Sequence, residues 1–222
     1  MKMKNSSLIS KKDLMKVFWR SFTMEWAWNY ERQSNLGYSF AMTPALNKIY
    51  KGSKEKLTSA YKRHLEFYNV TPWLSTFPLG ISVAMEEQAA LDENFDTDAI
   101  NNIKIALMGP LSGLGDSFFW GTLRVIATGI GTSLALQGNL LGPLLFLLIF
   151  NIPAVLARYY GLFIGYNIGA GFIEKVQKTG LMDKLSFGAS VLGLGVVGSM
   201  VATMVTLKMP LTIGAGKGAP TV

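Results

Sequence analysis

Between Arg124 and Arg158 lie 33 consecutive residues without a charge, whereas roughly 20 apolar residues suffice to cross the hydrocarbon core of a bilayer. A soluble helix would need a polar face there, and this run has none. Residues 185–207 form a second uncharged run of 23 residues, rich in Gly, Val, Leu and Met with only small polar residues such as Ser and Thr. It reads as another span. From 105 to 173 the only charged residues are Asp116, Arg124 and Arg158. The net charge of +7 comes from Lys and Arg gathered at the N-terminus and around residues 48–63. That placement fits the positive-inside rule better than nucleic-acid binding, for which no recognition motif is present. The absence of cysteine excludes disulfides, thiolate metal sites and a cysteine phosphorelay step.

The opening stretch MKMKNSSLISKKDLMKVFWR lacks the apolar core of a cleavable signal peptide, so the N-terminus is expected in the cytoplasm. From Lys12 to about Tyr30, Met15, Phe18, Trp19, Phe22 and Trp26 recur at helical spacing beside Lys11, Lys12, Lys16 and Arg20. Such a basic, aromatic-rich amphipathic helix suits the membrane interface, or equally a face packed on another subunit. Residues 31–69 are mostly polar and read as a cytoplasmic helical hairpin. Its lone histidine, His64, reads as a solvated or interface side chain rather than a phosphohistidine carrier, given the neighbouring charge.

Residues 70–91, VTPWLSTFPLGISVAMEEQAAL, are apolar but interrupted by Pro72, Pro78 and Gly80, and end near Glu86, Glu87 and Gln88. A short helix reaching partway into the bilayer with its carboxylates at a wet, protein-lined end is expected. Residues 92–98, DENFDTD, follow as an acidic surface loop. In MGPLSGLGDSFFWGTLR, Pro110 lacks a backbone donor and Gly109, Gly113 and Gly115 relax the chain, so a helix entering here should stop and turn. A re-entrant hairpin within 105–136 is the natural reading, because unpaired backbone at membrane depth must be sheltered by protein or a watery cavity. Gly142, Pro143, Asn151 and Pro153 repeat the theme, and paired Gly/Pro-interrupted apolar segments point to a transport site.

Ionisable groups in apolar sequence cost about 2.5–3.5 kcal/mol each on insertion scales, so Asp116 and Arg124 should face protein or water. In a helix running on from Gly115, Asp116 and Trp120 share a face. A carboxylate acceptor beside an indole plane suits a sugar, whose hydroxyls donate and whose C–H face packs on the ring. The alternative is that Asp116 caps the helix beginning at Ser117, with Arg124 paired to it or to a carbonyl. Glu86 and Glu87 point to different faces of a helix, so a shared proton is not expected. A solvated helix end is preferred there over a substrate contact. Gly161, Gly165 and Gly169 have the small-xxx-small spacing of close helix packing. Gly193, Gly195 and Gly198 match GxGxxG only formally, without a preceding strand. Neither a Walker A motif, zinc-ligand spacing nor a nucleophile elbow is present, so no catalytic residue, metal or cofactor is expected.

Four ordered stretches, RQSNLGYSFAMTPALNKIY (32–50), KRHLEFYNVTPWLSTFPLGISVAMEEQ (62–88), IKIALMGPLSGLGDSFFWGTLR (103–124) and LLGPLLFLLIFNIPAVLARYYGLFIGYNIG (140–169), carry a resemblance. MEEQ, MGPLxGxGDSxFWGTLR and GPxLFLLxFNIP with RYYG are its most specific parts. Together they resemble the IID membrane subunit of the mannose/fructose/sorbose phosphotransferase family. The resemblance implies an all-α membrane protein, a transmembrane helix bundle with re-entrant helical hairpins and an N-terminal amphipathic helix. It would sit in the bacterial cytoplasmic membrane as a multi-pass protein with its N-terminus inside. It further implies a IIC partner, a trimer of IIC–IID pairs, and phosphoryl transfer through IIA and IIB to a hexose such as mannose or glucose. IID is not itself the phosphorylated chain in such systems. Family members usually continue with further apolar sequence beyond the GAGKGAPTV at which this chain ends.

The expected organisation is a cytoplasmic or interfacial region, 1–69, and a membrane domain, 70–222. The latter comprises broken segments 70–91 and 105–136 and spans at about 139–173 and 185–207. Asp116, Ser117, Trp120, Arg124 and Asn151 are the candidates for lining the sugar path, with Glu86, Glu87 and Gln88 next. A structural subunit that touches no substrate is the rival reading.

Overall fold

The structure, a computed structural model, describes residues 7–179 together with Val191 and Gly198. The expected span 185–207 and the glycines at 193 and 195 therefore lie outside the described residues. Among residues 7–179 seven α-helices follow one another: α1 (Lys11–Ser21), α2 (Asn35–Ile49), α3 (Lys54–His64), α4 (Thr76–Leu91), α5 (Asp98–Gly115), α6 (Arg124–Leu136) and α7 (Leu141–Thr179). A π-helical stretch, Asp116–Leu123, joins α5 to α6. No strand longer than an isolated bridge occurs among the described residues.

Helix α1 begins in a capping box, in which the Ser10 side chain accepts from the Asp13 backbone and Asp13 accepts from the Ser10 backbone. Lys48 of α2 also donates to Asp13 at 2.5 Å. Burial acts to raise the Asp13 carboxyl, but the hydrogen bonds from Lys48 and Ser10 outweigh it and hold it down at about 2. The helix ends at Ser21, short of the expected Tyr30. The Ser21 hydroxyl donates to the Phe18 carbonyl at 2.7 Å and Thr23 donates to Arg20 at 2.8 Å, so side chains take over acceptors near the helix end. Turns then leave Trp26 83% and Tyr30 90% exposed.

Helix α2, expected in a polar hairpin, is the centre of the core. Tyr38, Ala41, Met42, Ala45 and Leu46 are fully buried, and the helix packs against α1, α3 and α4. The polar composition of 31–69 misled because its charge lies almost wholly in α3 and the loops. His64, at the end of α3, is likewise fully buried rather than solvated.

The most extensive packing joins α4 to α7, and glycines permit it. A Cβ at Gly80 would lie 2.2 Å from the Leu162 carbonyl oxygen, and one at Gly165 would lie 2.2 Å from that of Phe77. Gly161 meets Thr76, and Gly169 meets Ala84. The stripe Gly161, Gly165, Gly169 is thus the seam on which α4 lies. Pro78 falls in the first turn of α4, where a missing N–H loses no intrahelical bond, so 70–91 becomes a loop followed by one unbroken helix.

Two expected breaks are absent. Helix α5 continues through Pro110, and α7 continues through Pro153 with Pro143 in its first turn. A single proline removes one rung of the ladder, and the flanking residues keep helical dihedrals. The irregularity comes later, as the π-helix, and the chain reverses at residues 137–140. There Gly138 takes φ +73°, and the Asn139 side chain accepts from the Leu141 backbone at 2.9 Å. Helices α6 and α7 pack as the arms of this hairpin.

Among the described residues one helix is long and apolar enough to cross a membrane, over Leu141–Ala170, 30 residues. At 1.5 Å per residue it is about 45 Å long, more than the hydrocarbon thickness of about 30 Å.

Candidate functional site

The π-helical stretch gathers the most prominent sequence candidates. In this geometry each N–H reaches back five residues, a local widening that is frequent at functional sites. The Thr122 hydroxyl follows the same spacing and donates to the Ser117 carbonyl at 3.1 Å. Asp116 has helical dihedrals, and its side chain makes no N-cap bond to the stretch that follows. Its carboxylate accepts instead from the Thr71 hydroxyl at 2.7 Å, and Thr71 also contacts the Ser112 carbonyl at 3.1 Å. Gly115 is obligatory beneath this contact, since a Cβ there would come within 2.5 Å of the Thr71 side chain.

Two residues past Thr71, Trp73 meets Phe119, Trp120 and Phe150 at ring-centroid distances of 4.8, 5.2 and 5.2 Å. Arg124 lies over the Trp120 ring at 4.7 Å, a cation–π contact, rather than on Asp116. The loop 70–75 therefore ties Asp116 to the aromatic group through Thr71 and Trp73. Neither residue was singled out in the sequence, where TPW carries no pattern of its own and the pairing spans more than forty positions. Arg124 also lines a cleft of about 400 Å³ between α6 and α7, with Thr128, Thr132 and Phe146.

Asn151 follows Phe150 on α7, but its amide donates to the Leu147 carbonyl of its own helix at 2.8 Å. Ser117 is half-buried.

Glu86, Glu87 and Gln88 stand elsewhere, about ten residues along α4 and so roughly 15 Å from its start. The two carboxylates are buried, not solvated. Glu86 accepts from the Tyr50 hydroxyl at 2.6 Å, from Arg63 Nε at 2.9 Å and Nη2 at 3.1 Å, and from His64 Nε2 at 2.8 Å. Burial pushes the His64 imidazole below its ordinary value, overriding the upward pull of Glu86. Burial also opposes the Arg63 cation, yet Glu86 raises it overall. Glu87 accepts from the Tyr166 hydroxyl at 2.5 Å, the Ser7 hydroxyl at 3.0 Å, the Ile9 backbone at 3.2 Å and the Leu8 backbone. Gln88 is half-buried.

The profile of the PTS system mannose/fructose/sorbose family IID component matches residues 8–222. The chain belongs to this family of phosphotransferase IID subunits. It is 42% identical over 205 residues to the mannose-specific EIID component of Escherichia coli K12, covering 92% of this chain and 72% of that protein. It is 39% identical to the fructose permease IID component of Bacillus subtilis, covering 95% and 76%. The sorbose-specific EIID component of Klebsiella pneumoniae is 41% identical at the same coverages. A cryo-EM structure of the mannose transporter ManYZ with microcin E492 contains a chain that superposes with a TM-score of 0.83. That chain is 39% identical, with 98% of this chain and 81% of that one covered. This chain is accordingly a membrane subunit of a mannose-family phosphotransferase permease, and the apolar length of α7 agrees with that setting.

Proposed function

We propose that this IID chain pairs with a IIC subunit to form the path of a hexose, such as mannose or glucose, that IIB phosphorylates during uptake. IIA supplies the phosphoryl group to IIB, and three IIC–IID pairs assemble in the cytoplasmic membrane. The observation that carries the reading is the cluster at the π-helix. Asp116, Ser117, Trp120 and Arg124 sit together in a stretch whose neighbours Leu114, Phe118, Val125 and Ile126 are exposed apolar side chains. Polar groups kept among such neighbours need protein or water around them. Asn151, one residue beyond the Phe150 that meets Trp73, extends the path. Gln88 is the member of the MEEQ triplet whose side chain remains available to a substrate or partner.

The topology follows the same logic. Residues 1–69 are cytoplasmic or interfacial, Trp19 of α1 and Trp26 in the turns after it lie at the headgroup level, and 70–222 is the membrane domain, crossing more than once. The α6–α7 reversal suits a re-entrant hairpin, because Gln137 and Asn139 spend their polar groups on backbone of the same turn, at Ser133 and Leu141, while Leu136 and Leu140 are each 89% exposed.

Hexose uptake by cells carrying Asp116→Ala or Trp120→Ala tests the site. Loss of uptake at normal protein levels is expected; wild-type uptake removes these residues from the path. One observation favours the rival, a scaffold subunit that touches no sugar: the Asp116 acceptor is already used by Thr71 and a face of Trp120 is covered by Arg124. Protection of Trp120 from chemical modification by sugar, in the purified IIC–IID complex, separates the two.

A further inference from the structure

Adjacent residues on a helix project in different directions, so Glu86 and Glu87 reach different neighbours. Glu86 is held by α2 through Tyr50 and by α3 through Arg63 and His64. The buried Lys104 of α5 adds a fourth element, donating to the Arg63 carbonyl at 3.2 Å. Glu87 is held by the segment leading into α1, through Ser7, Leu8 and Ile9, and by α7 through Tyr166. The Ser7 and Tyr166 hydroxyls also lie 2.7 Å apart, which closes the second cluster.

An ionised carboxylate offers about four lone-pair sites. Glu86 receives four N–H or O–H donors, two on each oxygen, while on Glu87 the Leu8 and Ile9 N–H groups and the Ser7 hydroxyl meet Oε1 and the Tyr166 hydroxyl meets Oε2. Glu86, with both oxygens doubly hydrogen-bonded, keeps no acceptor site for a sugar hydroxyl, and Glu87 is taken up by its two flanking segments. The His64 contact to the Glu86 carboxylate places a proton on Nε2.

We infer that Glu86 and Glu87 are positioning residues, a two-sided joint in α4 that fixes the α2–α3 unit on one side and the N-terminal segment to α7 on the other. Through the glycine seam between α4 and α7, the joint sets how the helices carrying the π-helical site stand relative to the cytoplasmic face. The functional consequence rests on the transport reading proposed above; the mechanical one does not.

The chain contains no cysteine, so spin-label pairs introduced into it have no background from the chain itself. In the IIC–IID complex, labels at the exposed positions Lys12 and Ile168 report the Glu87 side, and labels at Lys62 and Ile105 report the Glu86 side. Glu87→Gln turns an amide donor toward donors and should broaden the Lys12–Ile168 distance distribution alone. Glu86→Gln should broaden the Lys62–Ile105 distribution alone. Both should lower maximal uptake at least about fivefold with the sugar KM within about twofold, as expected for groups that do not bind substrate. Tyr166→Phe and Tyr50→Phe each remove one donor and serve where a Gln variant does not assemble. Unchanged distances in these variants overturn the joint, and a rise of about tenfold in KM with distances intact identifies sugar contacts instead. Altered distances with full uptake overturn the positioning role. Should the wild-type complex transport no sugar, the transport reading fails while the distances still decide the joint.

Discussion

Two regions of this chain treat polarity in opposite ways. In the inner region, formed by residues 7–91 and the latter part of α7, buried carboxylates are held by partners: Glu86 by Arg63, His64 and Tyr50, and Asp13 by Lys48. In the outer region, residues 105–156, polar groups are few and large apolar side chains such as Val125, Ile130, Leu147 and Leu156 stand exposed. The first behaves as a conventional protein interior, where a buried charge must be paired. The second resembles an interior turned outward, which only lipid or another subunit can cover. The proposed site lies where the two meet, since Thr71 and Trp73 come from the inner region and Asp116 and Trp120 from the outer.

If the inner region depends on its closed clusters, Glu86→Ala should have the largest effect. It strands the half-buried Arg63 and the fully buried His64, and removal of one partner from a buried pair costs about 3–5 kcal/mol. Chemical denaturation of the purified complex should show that loss, and unchanged stability would mean the cluster is dispensable. Next comes Gly165→Ala, whose new methyl meets the Phe77 carbonyl oxygen; overpacking of about 1–3 kcal/mol is expected, read as a lower thermal midpoint.

Acid sharpens the same contrast. The His64 imidazole is held below its ordinary 6.5 in the folded chain, so the unfolded chain binds protons first. Its contribution is complete above about pH 6.5 and declines as the pH falls below that value. His64→Gln, which keeps a donor for Glu86, should flatten the stability profile below pH 6.5. Asp13 acts lower down, its contribution present above 3.8 and lost as the pH falls toward about 2. The smallest effect belongs to the outer region. Ile126→Ala should change stability in detergent by less than about 0.5 kcal/mol, since its side chain is 51% exposed.

The outer region was the more legible in the sequence. Its uncharged run and the isolation of Asp116, Trp120 and Arg124 are local patterns that carry their physics with them, as are the glycines at 161, 165 and 169 on the inner side of α7. The motif resemblance that identified the family drew on both regions, on 32–50 and 62–88 as well as 103–124 and 140–169. Proline was over-read: Pro110 and Pro153 each cost one backbone bond, too little to stop a helix supported on both sides. The inner region was misread because its logic is non-local. Glu86 looks like a wet helix end until Tyr50, Arg63 and His64, 22 to 36 positions away, are placed around it. Likewise nothing in TPW announces that Thr71 meets Asp116.

The lipid setting of the outer region can be measured directly by single spin labels at Ile130, Leu140, Leu147 and Leu156 in the reconstituted complex, with Lys54 as a water-exposed reference. Residence in lipid or against a partner predicts that these four labels are closed to a water-soluble nickel chelate while oxygen reaches the lipid-facing ones. Chelate collision rates at all four positions equal to that at Lys54 would contradict it.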